Sequence, residues 1–115
     1  MLHRLRSKAA KARSNAKLRI TGRILAALFV VLGSLDVVST NAALAAGHFE
    51  GNPIVQLVQA QIGSWWALPK MAFHLLLAWY ILWLPSKRMI RVAGLVTGVY
   101  AVVVMNNFYW SQWSV

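Results

Sequence analysis

The chain of 115 residues contains no cysteine, which excludes disulfides, thiolate metal sites and cysteine nucleophiles. Acid is almost missing as well. Asp36 and Glu50 are the only two carboxylate side chains, set against 12 Lys and Arg, for a net charge of +10. Charged residues of either sign amount to 12%, while 59% of the chain is hydrophobic. Soluble domains carry about twice that charge, so the balance is that of a membrane protein. Catalytic patterns are also lacking. No Ser-His pairing, Gly-rich phosphate loop or H-x-x-E-H spacing occurs. Histidines beside aromatic residues read as packed, hydrogen-bonded groups, so neither an enzyme, a metal site nor a cofactor is expected.

The positive charge that is present is concentrated. Arg4, Arg6, Lys8, Lys11, Arg13, Lys17, Arg19 and Arg23 lie in residues 1–23, interleaved with Leu2, Leu5, Ala9, Ala12, Ala16 and Ile20 at three- and four-residue spacing. This pattern predicts a basic amphipathic arm whose first partner is an anionic headgroup surface. Nucleic acid is not expected, because no aromatics interleave with the charges and no folded module positions them.

Three apolar stretches follow, predicting an all-α membrane domain over residues 24–115. Ile24–Ala46 spans roughly 34 Å at helical rise, enough to cross a bilayer with some tilt. Ala43-Leu44-Ala45 resembles a signal cleavage site, but the long basic region and Asp36 within the apolar run argue against cleavage. Trp65–Leu84 is the second predicted span, with Trp65-Trp66 and Trp79, Tyr80 and Trp83 toward its ends as interfacial belts. Its regular helix is expected nearer Leu68, since Pro69 suits a first turn. Val92–Tyr109 is the third. Its Gly94 and Gly98 form a G-x-x-x-G that suits close helix packing, inside one subunit or between two. Between the first two spans, Pro53–Ile62 reads as a short interfacial helix that starts at Asn52-Pro53, after a stop at Gly47. Basic residues in the arm and in Lys87-Arg88-Met-Ile-Arg91 are expected on the cytoplasmic side. Residues 47–64 and the C-terminus then lie outside.

Asp36, Thr40, Ala43 and Gly47 fall on one helical face. Carboxylates are costly in lipid, and the default reading is a buried, paired group. Depth counting puts Asp36, Thr40, Glu50, Asn52, Lys70, His74 and Asn106 in the outer half of the bilayer as one polar cluster, with Lys70 as the counter-charge.

The arrangement Asp36…Thr40…Gly47-x-x-Glu50-x-Asn52-Pro53, then Lys70 and a late asparagine, resembles the small bacterial and archaeal membrane proteins of domain of unknown function 5658. The resemblance covers residues 24–110. It implies a multi-pass protein of the inner (cytoplasmic) membrane with Asp36, Thr40, Glu50, Asn52, Pro53 and Lys70 as signature, and it implies no reaction.

Two functions are consistent with these residues. The first is a non-enzymatic accessory or structural subunit of a larger membrane complex, its helices joined by the polar cluster. The alternative is an oligomeric proton- or ion-coupled transport unit using the carboxylates and His74.

Overall fold

The computed structural model describes residues 1–48 and 53–113, and among them forms helices and no strand. Five α-helices are present: α1 (Leu2–Ser14), α2 (Ala16–Ala45), α3 (Pro53–Ile62), α4 (Ala67–Trp83) and α5 (Lys87–Ser111). A 3-10 turn, Gly63–Trp66, leads into α4.

α2 is the hub. Its buried positions are Gly22, Ala26, Phe29, Gly33, Asp36, Thr40 and Ala43, with Ser39 beside them. The spacing alternates between four and three, the seam that keeps one face against its neighbours along a long helix. Most of these residues are small, so α4 and α5 approach α2 closely. α5 answers with buried Ala93, Thr97 and Val104, and α4 with His74, Ala78 and Ile81. α4 and α5 both pack mainly on α2 and meet each other little. The Leu84–Ser86 turn between them tucks against α2 at Gly22, where a Cβ would come within 2.9 Å of Pro85 Cβ. Ser86 then caps α5 by accepting the Met89 N–H.

The first span is longer than its apolar run. The chain does not form one amphipathic helix through residue 23. It bends at Asn15, whose side chain accepts the Leu18 N–H and caps α2. Lys17, Arg19 and Arg23 thus belong to the first two turns of α2, and a helix of some 45 Å carries them beyond a 30 Å apolar layer. At its other end Gly47 adopts φ 96°, with Gly47 N–H bonded to the Leu44 carbonyl and His48 N–H to that of Ala43. That paired closure requires a left-handed residue, and glycine provides it without a Cβ clash.

α1 folds back onto the end of the bundle where α4 finishes. Ala9 and Ala12 bury against Leu84, flanked by Leu5, Tyr80 and Trp83. Arg13 donates to the Trp83 carbonyl at 2.5 Å and lies over the Trp83 ring. It therefore occupies the negative end of the α4 dipole, and Arg19 donates in turn to the Arg13 carbonyl. Arg13 and Arg19, both partly buried, thus make contacts within the chain. Arg4, Arg6, Lys8, Lys11, Lys17 and Arg23 stay exposed.

α2 and α5 are long and apolar enough to cross a membrane, and α4 is a shorter apolar helix. Their large hydrophobic side chains point outward. Leu28, Val31, Val38, Leu75, Leu76, Leu95, Val99 and Val102 are exposed, whereas Asp36, Ser39, Thr40, His74 and Thr97 are buried. Polar groups inside and hydrocarbon outside is the arrangement lipid selects.

Candidate functional site

The site is built around one carboxylate. Asp36 sits in the C-terminal half of α2, roughly 14 Å from its C-terminal end, and is 6% exposed. Lys70, in the first turn of α4, reaches its Oδ2 at 2.6 Å. Asn107, near the end of α5, donates to Oδ1 at 3.3 Å, and Thr40 donates to the same oxygen at 3.4 Å. Asn107 Nδ2 also lies within 3.3 Å of Ser39 Oγ and 3.2 Å of Thr40 Oγ1. Two amide hydrogens are shared among three acceptors, which explains why each of these contacts is long. The Asp36–Lys70 contact is short because it is charge-assisted. One side chain of α2 thereby binds α4 through Lys70 and α5 through Asn107.

Lys70 is held from a second direction. Its ammonium lies 5.1 Å from the Tyr100 ring centroid, within cation–π range. One turn further into the bundle, His74 is fully buried, with Phe29 at 4.4 Å and Tyr100 at 4.9 Å between ring centroids. Its third wall is Gly33, where a Cβ would lie 2.6 Å from His74 Nδ1. Among the described residues, neither ring nitrogen has a hydrogen-bond partner. The aromatic layer Phe29, His74, Tyr100 closes the interior beneath the ion pair.

The C-terminal ends of α2 and α5 are tied by His48, whose Nε2 donates to the Trp113 carbonyl at 2.7 Å and whose ring meets Trp110 edge-on. An opening of about 280 Å³ lined by Ala43, His48, Asn107 and Trp110 lies above Asp36.

Asp36, Thr40 and Lys70 therefore meet. His74 shares their helix face but touches rings rather than the carboxylate. Glu50 and Asn52 lie outside the described residues. Asn106 requires correction: it is exposed, and Asn107 occupies the cluster instead. Each residue turns a helix by about 100°, so neighbours cannot share a face. Counting along α5 from Ala93 through Thr97 and Val104 selects Asn107, a signal present in the sequence. Of the two uses open to Gly94 and Gly98, packing inside one subunit is not the one made among the described residues. A Cβ at either would meet nothing within 4 Å, because both turn away from α2. Among the described residues, no three metal-ligating side chains converge.

Asn107→Ala is expected to cost about 1–2 kcal/mol, since it removes a donor that three buried oxygens share. Asn106→Ala should stay within about 0.5 kcal/mol, as surface changes do. Unfolding of both variants in the same detergent checks the assignment; equal losses would place the wrong asparagine in the cluster.

The family model described as domain of unknown function (DUF5658) matches residues 27–112. The chain belongs to this family. The match covers the helical core from the fourth turn of α2 to the end of α5 and leaves α1 outside it. No curated protein and no solved structure matches the chain.

Proposed function

We propose that this DUF5658 protein is a non-enzymatic, three-span protein of the cytoplasmic membrane, acting as an accessory subunit of a larger membrane complex. The observation that carries this reading is the Asp36 carboxylate, bonded to both neighbouring helices inside a molecule whose outer faces are apolar. A carboxylate whose two oxygens are both engaged serves as a clamp. It is committed to holding the helices, with one oxygen turned to α4 and the other to α5.

Three spans rest on α4, whose helical length is roughly 25 Å. The preceding 3-10 turn adds about 8 Å, which brings the pair to bilayer thickness. Basic residues at one end of α2 and α5 orient the N-terminus to the cytoplasm and the C-terminus outside. Because the natural chain has no cysteine, single cysteines at Ser7, Gln61, Ser86 and Gln112 report topology directly. Impermeant maleimide is expected to label positions 61 and 112 in intact cells and to leave 7 and 86 unlabelled. Labelling at 86 would reject three spans.

The docking face of this reading is the outer side of α5, where Gly94 and Gly98 open a shallow groove edged by Leu95, Val99, Val102 and Val103. Close backbone approach at such a groove is the usual basis of helix association in lipid. Purification from native membranes in mild detergent is expected to recover the chain in a stoichiometric larger assembly. Gly98→Leu should disperse that assembly while leaving the melting of the isolated subunit unchanged, because the added side chain meets nothing within the chain.

The opening beside His48 and Asn107 favours, as a second reading, an oligomer that passes protons or ions through Asp36. A homo-oligomer whose flux in proteoliposomes is lost in Asp36→Asn would support it over the accessory role. The packed Phe29, His74 and Tyr100 layer beneath the ion pair weighs the other way.

A further inference from the structure

Below α3, a cavity of about 460 Å³ lies between the start of α4 and the middle of α5. That is within the range of sites that hold small organic ligands. Val58 of α3, Trp66 and Phe73 of the 3-10 turn and α4, and Tyr100 of α5 form its walls, with Lys70 also lining it. Phe73 is more than half exposed on the outer surface of the bundle, so the cavity opens sideways, where α4 and α5 separate.

Among the described residues, the Lys70 ammonium, the Tyr100 hydroxyl and the Trp66 indole N–H are the polar groups of an otherwise hydrocarbon lining. Lys70 carries three N–H donors and gives one to Asp36 Oδ2. Tyr100, whose ring packs against Phe29, His74 and the Lys70 ammonium, brings a phenolic O–H to the same lining. Both Lys70 and Tyr100 can donate a hydrogen bond to an occupant. An occupant must therefore supply an oxygen acceptor at one end and hydrocarbon along the rest.

The electrostatics narrow the choice further. Lys70 is already neutralised by Asp36, so a phosphate would have to displace that carboxylate or share its cation. A carboxyl-level oxygen needs only the spare N–H and the phenol O–H. The depth agrees, since Lys70 lies just below the outer end of its span, where an acyl chain meets its carboxyl group.

We propose that this cavity binds an acyl chain, with the chain's carboxyl oxygen accepting hydrogen bonds from Lys70 and Tyr100. The ester carbonyl of a bilayer phospholipid and the carboxylate of a free fatty acid share this chemistry. The site rests on the membrane placement proposed above, and it makes the Asp36–Lys70 pair a positioning device that aims the remaining lysine donors into the cavity.

The test uses the full chain in nanodiscs of zwitterionic lipid, with a photoreactive diazirine on either a phospholipid acyl chain or a free fatty acid. Labelled peptides are mapped by mass spectrometry. Residues 54–58 and 66–73 are expected to label well above the outward α5 positions Leu95 and Val102. Val58→Trp fills the cavity without touching the ion pair and should reduce cavity labelling to the level of Leu95. Tyr100→Phe keeps the ring over Lys70, removes one hydrogen bond and should lower cavity labelling roughly fivefold. Whichever probe shows these losses identifies the source of the chain. Labelling that is uniform over cavity and outer surface, and indifferent to Val58→Trp, is annular lipid only and overturns the site. Failure to label not only Leu95 and Val102 but also Val31 of α2 and Leu76 of α4, which are exposed outside the α5 groove, overturns instead the membrane placement on which the site rests.

Discussion

Lys70→Met is expected to destabilise the subunit by about 3–5 kcal/mol, the cost of leaving one member of a buried ion pair without its partner. Asp36 would keep its bonds from Thr40 and Asn107, but these are long and uncharged and do not neutralise a carboxylate in a dry interior. The acid must stay charged at that cost or take up a proton, and protonation turns part of the loss into pH dependence. Asp36→Asn should cost less than Lys70→Met. The freed lysine adjoins the cavity beneath α3 and can extend its flexible stem toward the outer interface, whereas an aspartate fixed in mid-helix cannot. The double variant Asp36→Asn with Lys70→Met removes both charges and should recover much of the lost stability. The six tryptophans allow unfolding to be followed by fluorescence in detergent or bicelles. A Lys70→Met protein that melts like the natural chain would remove the pairing from the list of forces holding the bundle.

Gly33→Ala is expected to destabilise by roughly 1–3 kcal/mol, although alanine is the better helix former by about 1 kcal/mol. The sign is set by space. A Cβ at position 33 would stand 2.6, 2.7 and 2.8 Å from His74 Nδ1, Cγ and Cε1. The imidazole cannot retreat, because Phe29 and Tyr100 hold its other sides. α4 would have to move off α2 and would carry Lys70 away from Asp36. His74→Ala empties the same space, so in that background Gly33→Ala should turn from destabilising to neutral or mildly stabilising. The reversal of sign is the decisive measurement. If Gly33→Ala costs the same with and without the histidine, the ring is not what glycine makes room for.

These two tests fall on opposite sides of what could be read before folding. Asp36, Thr40 and Lys70 were legible because buried charge is rare and must be paired, and the helix period fixes which depths can meet. Helices long and apolar enough to cross a membrane followed from composition, and the helix stop at Gly47 from the absence of a Cβ. Gly33 drew no attention. A glycine in an apolar helix has no chemistry of its own, and its role exists only where another helix lays a ring against it. The four-three spacing from Gly22 to Ala43 was nevertheless present in the sequence. Extending the Asp36 face backward by one and two heptads reaches both Phe29 and Gly22, a periodicity that the polar end of the stripe alone does not reveal.

The sequence by itself determined the class of the molecule: helical, apolar on the outside, basic at one end, with one acid that had to find a cation. Those outcomes follow from properties each residue carries anywhere, namely its charge, its transfer cost and its helical period. Tertiary structure decided the rest. It chose Asn107 over Asn106, because the rotation of α5 is set by the small residues that seat it on α2. It turned Gly94 and Gly98 outward, since α2 offers only one seam and Ala93 and Thr97 fill it. It set Arg13 against the end of α4, because the bend at Asn15 lets α1 fold back. Each is a choice among neighbours of similar chemistry, and only the relative placement of helices distant in sequence separates such neighbours.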